Sequence, residues 1–157
     1  DDFARSVIEG MFLLDTNVIS ALAPSKRATA AELVDWLDRA SPFLYLSVIT
    51  AAEVQAGIAK AKREGATTKS ALLSDWWASI EYIYADRILP FDVRCAAAGA
   101  IMDEARAHQP GFEDIAIAAT AKVMGLTVMT RNIRHFRPLG VECFDPFSEL
   151  PSLPERR

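Results

Sequence analysis

The chain has 157 residues, 51% of them apolar and 24% charged, a balance that excludes an intrinsically disordered chain and fits one domain with a sizeable core. Its net charge of −4 at pH 7 excludes a protein that holds nucleic acid by overall charge alone; nucleic-acid chemistry here needs a local source of positive charge, such as a bound divalent cation. Cys95 and Cys143 lie far apart, without CxxC or Cys–His metal spacing, and read as buried small apolar residues in a reducing cytoplasm.

Residues 1–10 lack the basic start and apolar centre of a signal peptide, and Met11 reads as a natural start, with residues 1–10 an upstream extension or an expression remnant. Met11 to Leu14 is a short apolar run ending in Asp15 and predicts a strand buried on both faces. Leu33, Val34, Trp36, Leu37 and Ala40 predict a helix over 29–40, stopped by Ser41-Pro42. Phe43 to Val48 predicts a second strand, and Thr50 to about Arg63 a helix closed by Gly65. A helix over 67–83 follows. Its adjacent Trp76 and Trp77 cannot share one face, so one is expected in the core and the other at an interface or stacked on bases. Arg87 to Phe91 predicts an edge strand because of Pro90. Asp92 caps a helix to about His108, itself expected at a surface helix end, before a Gln109-Pro110-Gly111 loop. Glu113 to Met124 predicts a helix ended by Gly125. Strands are predicted at 126–130 and 141–144, and the proline-rich tail from Pro146 is expected to be loosely held. No apolar run reaches the ~18 residues of a membrane span. Strands alternating with helices imply one α/β domain with a parallel sheet covered on both faces.

In such a sheet, sites form beyond the carboxyl ends of the strands. Asp15 follows the first strand, Glu53 lies in the first turn of the helix after the second, and Thr130-Arg131-Asn132 follows the fourth. Asp114 opens the helix that leads into that strand. Each acid also has a purely structural reading. Asp15 can cap the segment 16–22, Thr50-Ala-Ala-Glu53 fits a capping box, and Asp114 suits a helix dipole. The apolar Ile115-Ala-Ile-Ala-Ala119 after Asp114 makes that helix core-facing and turns its first-turn acid along the sheet edge. Converging carboxylates repel one another, and a hard cation with oxygen ligands relieves that. Three carboxylates favour Mg²⁺ or Mn²⁺, which suits phosphodiester hydrolysis.

Leu13-Leu-Asp-Thr-Asn-Val-Ile-Ser20, Ser47-Val-Ile-Thr-Ala-Ala-Glu-Val-Gln-Ala-Gly57, Arg87-Ile-Leu-Pro-Phe-Asp92, Asp114-Ile-Ala-Ile-Ala-Ala-Thr-Ala-Lys122 and Val128-Met-Thr-Arg-Asn132 together resemble the PIN-domain ribonucleases, in particular the VapC/FitB group of toxin–antitoxin systems. The resemblance runs in order from Met11 to about Phe147. It implies a domain over 11–147 with a Rossmann-like α/β/α sandwich and a mainly parallel sheet, leaving a tail over 148–157. It also implies a homodimer, an antitoxin partner of the VapB/FitA kind, an RNA substrate cut as an endoribonuclease, Mg²⁺ or Mn²⁺ as cofactor, and a cytoplasmic place of work. Specific DNA binding is left to the antitoxin. The acidic site maps to Asp15, Glu53 and Asp114. The family's usual fourth acid falls at Asn132, and its following Asp-Phe at His135-Phe136. Thr16, Asn17 and Thr130 are expected to orient the carboxylates or their waters, Glu113 to compensate for Asn132, and Arg131, Arg134, His135 and Arg137 to contact RNA phosphates. Asn17 replaces the second acid of a dehalogenase-type phosphatase, and the glycine and glutamate of an EF-hand are missing. No mid-chain Asp ends a third strand as a receiver domain requires. The non-enzymatic alternative is a degenerate domain that binds RNA or a partner without cutting it.

Overall fold

The structure is a computed structural model that describes residues 10–105 and 111–153. Five strands form its sheet: β1 (Phe12–Leu14), β2 (Leu44–Ser47), β3 (Ile88–Leu89), β4 (Thr127–Met129) and β5 (Cys143–Phe144). Their order is β3-β2-β1-β4-β5 and every pairing is parallel. Among the described residues, seven α-helices surround it: α1 (Thr16–Ile19), α2 (Ala31–Ala40), α3 (Val48–Arg63), α4 (Thr67–Ile83), α5 (Val93–Ala105), α6 (Phe112–Met124) and α7 (Ile133–Phe136).

The central strand explains the layering. Successive side chains of β1 point to opposite faces. Phe12 and Leu14 enter one core with Trp36, Leu37, Leu46, Trp77, Ile80 and Tyr84, whereas Leu13 enters the other with Ile117, Val128, Phe136 and Leu139. All three residues are buried, as an apolar run ending in a polar residue predicts. The chain leaves β1 toward β2 and leaves β4 toward β5, so strand order reverses between β1 and β4. A crevice is expected outside the carboxyl ends of those two strands.

Most predicted elements are present with shifted ends. Helix α3 begins at Val48, two residues before Thr50, because Ser47 at the end of β2 is extended (φ −94, ψ 147) and accepts the Ile49 N–H. The Thr50–Glu53 capping box therefore does not form. Gly125 ends α6 in the left-handed conformation at φ 67. Cys95 is buried, but Cys143 is only half-buried in its two-residue edge strand; both are free. Trp77 is in the core and Trp76 packs on its margin. His108 and the Gln109-Pro110 loop lie outside the described residues, as do residues 1–9 and 154–157. Among the described residues, no helix is long and apolar enough to cross a membrane.

The tail differs from expectation. Phe147, Leu150 and Leu153 pack against the first core, and the Trp36 indole N–H donates to the Pro151 carbonyl at 2.8 Å. Apolar residues spaced between the prolines give this irregular segment its own buried side. Trp36→Phe should keep the ring packing and lose that bond, lowering stability by about 1 kcal/mol. Denaturant unfolding should show this together with faster carboxypeptidase trimming; unchanged trimming would mean that the tail is held by its apolar contacts alone.

Candidate active site

A cavity of about 630 Å³ opens at the carboxyl edge of the sheet. Asp15, Glu53 and Asp114 all line it, with Thr16, Asn17, Arg131 and Asn132. Each acid is held by a different device. Asp15 follows β1 and is buried, with 4% of its surface exposed. Its backbone N–H continues the sheet ladder to Met129, and its side chain caps α1 by accepting the Thr16 N–H at 2.8 Å. The other carboxylate oxygen accepts from Thr130 Oγ1 at 2.8 Å and Asn17 Nδ2 at 3.3 Å. The capping reading of Asp15 and the site reading are thus both satisfied, one by each oxygen.

Glu53 stands at the exposed rim, where Thr16 Oγ1 donates to its Oε1 at 2.9 Å. The same hydroxyl lies 3.0 Å from that of the buried Thr50. Asp114, in the first turn of α6, meets His135 Nδ1 at 3.0 Å through its Oδ2. Thr130 and Asn17 also fix the neighbouring loop: Thr130 Oγ1 accepts the Asn132 N–H at 2.9 Å, and Asn17 Oδ1 accepts the Arg131 N–H at 3.2 Å.

Burial pushes the Asp15 carboxyl above its ordinary 3.8; the Thr130 and Thr16 donors oppose that, Asp114 adds to it and His135 counters. Glu53 is raised from 4.5 by loss of solvent, against the Thr16 bond, and further by the charges of Asp15, Glu113 and Asp114. Burial likewise raises Asp114, with His135 opposing and Glu113 reinforcing. These carboxylates are frustrated, each raised in part by another acid. Among the described residues, no three His, Cys, Asp or Glu side chains are already drawn into a cluster able to hold a metal ion. The acids face one cavity from separate anchors.

Asn132 is exposed and caps α7 without a side-chain bond. Glu113 is exposed beside Asp114. Of the basic group, Arg131 lines the acidic cavity, whereas Arg137 lines a separate apolar one with Phe12 and Phe144. Arg134 is exposed and lines neither, and His135 belongs to Asp114. Sequence reasoning missed Lys26 and Phe147, which line the acidic cavity. Phe147 follows β5, so the rule that singles out strand ends could have found it. Lys26 lies in a turn after α1 with no such signal.

The PIN domain family model matches residues 12–140. This chain belongs to the PIN-domain family. Toxin FitB of Neisseria gonorrhoeae is 39% identical over 143 residues, which span 88% of this chain and 100% of that relative. A VapC ribonuclease of Sinorhizobium fredii is 34% identical over 143 residues, covering 87% and 98%. The crystal structure of FitAcB from Neisseria gonorrhoeae superposes with a TM-score of 0.74 at 37% identity, over 89% of this chain and 100% of that one.

A raised carboxyl holds its proton more tightly folded than unfolded, so it weakens the fold as pH climbs from its ordinary value through its raised one. Glu53→Gln keeps an oxygen for Thr16 and removes one charge from the set. Without divalent cations, its melting temperature should exceed that of the wild type by a margin that grows as pH rises from about 4.5. A variant melting several degrees lower at pH 7 would make Glu53 a structural residue.

Proposed function

We propose that this PIN-domain protein is an endoribonuclease toxin dependent on Mg²⁺ or Mn²⁺. The carrying observation is that Asp15, Glu53 and Asp114 line one cavity at the carboxyl edge of the sheet. The donor set fits a hard cation: it is all oxygen, the neighbouring imidazole is engaged by Asp114, and burial, with a smaller push from neighbouring acids, raises the carboxyls. Asp15, Glu53 and Asp114 are the residues to hold it. The cation supplies charge neutralisation, polarisation of the phosphate and a more acidic water. The chain supplies the positioning. Thr16, Asn17 and Thr130 aim the carboxylates, and Asn132 offers a neutral carbonyl oxygen at the edge. Arg131 binds the phosphate backbone from the rim.

Cleavage of a structured RNA should vanish in EDTA and return with Mn²⁺. Asp15→Ala should eliminate it, while Asn132→Ala should slow it about tenfold, equivalent to about 1.4 kcal/mol of lost positioning. Full cleavage in chelator sinks the mechanism, and an Asn132→Ala as inactive as Asp15→Ala would make Asn132 a full member of the site. The second reading, a domain that holds RNA without cutting, draws on that neutral residue; RNA binding with no cleavage under any divalent cation would establish it.

The proposed partners are a cognate antitoxin, whose arginine or lysine side chain suits the carboxylates of the cavity, and a second copy of this chain. Val93 and Ile101 on α5 and Phe112 on α6 are exposed apolar groups at 86%, 72% and 64%, in keeping with a covered surface. Expression alone should arrest growth and antitoxin co-expression should relieve it. Harmless expression of soluble protein at high level would remove the toxin role.

A further inference from the structure

We propose that Phe147 is a positioning residue that holds the Arg131 guanidinium over the acidic cavity, where Arg131 and Lys26 form a cationic rim for the phosphate backbone of RNA. The inference deepens the RNA reading above and rests on it. A cavity lined by three carboxylates repels a polyanion, and a chain of net charge −4 gives no general attraction to offset that. Positive groups must therefore stand at the cavity itself. Among the described residues, Lys26 and Arg131 are its only basic lining residues and no carboxylate pairs with either.

Arg131 is fixed at both ends. Its backbone N–H is bound by Asn17, and its guanidinium carbon lies 3.7 Å from the centre of the Phe147 ring. Stacking on a ring face leaves the in-plane N–H donors of a guanidinium free for phosphate oxygens. It also removes freedom that a long side chain would otherwise lose on binding. The ring is itself held. The Phe147 N–H donates to Asp145 Oδ1 at 2.9 Å, its side chain packs on the core, and the segment is pinned further on through Pro151 and Trp36. The Lys26 carbonyl accepts both the N–H and the hydroxyl of Thr29, at 3.1 and 2.8 Å, which fixes the turn carrying that lysine. The tail thus does more than close the core: one of its residues sets a cation against the site.

The test is equilibrium binding of a fluorescent RNA hairpin in chelator across a salt series, so that affinity is read without cleavage. Arg131→Gln and Lys26→Gln should each weaken binding about tenfold and lower the salt slope by about one. Phe147→Leu, which fills the space without a ring face, should reproduce most of the Arg131→Gln loss with little change in melting temperature. Phe147→Tyr should restore wild-type affinity, and Phe147→Leu should add nothing in an Arg131→Gln background. In cleavage with Mn²⁺, Phe147→Leu should raise KM and leave kcat within about twofold, as a loss of uniform binding does. Wild-type affinity in Phe147→Leu overturns the proposal while the RNA reading stands. RNA binding without cleavage in the wild type removes the nuclease reading and leaves the rim intact. A wild type that does not bind RNA overturns both.

Discussion

A carboxylate buried at the seam between β1 and β4 organises the working end of this molecule. An ionised group taken out of water costs several kcal/mol unless hydrogen bonds replace its hydration. Asp15 meets that requirement with three donors: the Thr16 N–H, the Thr130 hydroxyl and the Asn17 amide. Two of these come from α1, directly after β1, and the third from the residue that follows the neighbouring strand β4. The residues that satisfy Asp15 also position its surroundings. Thr130 accepts from the Asn132 backbone and Asn17 from the Arg131 backbone. The Thr130–Asn132 loop is therefore shaped by the same two side chains that hold the acid, and a rearrangement at one is felt at the other.

Each of the other two acids of the cavity has a polar partner. Glu53 leans on a hydroxyl and Asp114 on an imidazole. Those contacts oppose the raised proton affinities without removing them, because loss of solvent is the largest cause at all three acids. A fold can carry such a cluster where function keeps it, and strained or frustrated groups concentrate at functional sites for that reason. Here the frustration lies in side chains: the described backbone has no non-glycine residue with positive φ and no cis peptide.

Much of this was legible in the sequence. The parallel α/β sandwich followed from alternating apolar runs and helical periodicities, and the three acids were singled out by the rule that places ligands at strand ends and then mapped as a set by the family resemblance. Helix α4 has the bounds read from its apolar spacing, but of the apolar side expected there, Leu72, Leu73, Trp76, Trp77, Ile80 and Ile83, only Trp77 and Ile80 are fully buried, with Ser70 beside them, while Leu72 and Ile83 are exposed. What was not legible has a common cause. The Thr50–Glu53 box is locally sound, but Thr50 and Glu53 are engaged by Thr16, 34 and 37 residues away, while Ser47 takes over the cap. Tertiary contacts decided between two local options. Short elements were missed as well. Helix α7 has four residues and no period to detect. The tail was read as loose from its prolines, although Phe147, Leu150 and Leu153 bury themselves between them.

His135 carries the last consequence. The resemblance leads one to expect acids near Asn132 and His135, and both positions here are without negative charge of their own. The two departures lie close together but act differently. Asn132 leaves its side chain exposed beside the cavity with no bond in the cap it forms, so it remains available to a ligand. His135 is engaged: its Nδ1 and Asp114 Oδ2 are 3.0 Å apart, with the ring 44% exposed and the carboxylate only 19% exposed. An acid in place of His135 would add to the repulsion that already raises Asp114, whereas an imidazole supplies a hydrogen-bonding partner that lowers it. This chain thus keeps the three acids on one cavity with less repulsion than a fuller carboxylate set would impose, and it leaves Asn132 and Arg131 exposed at the cavity's lining.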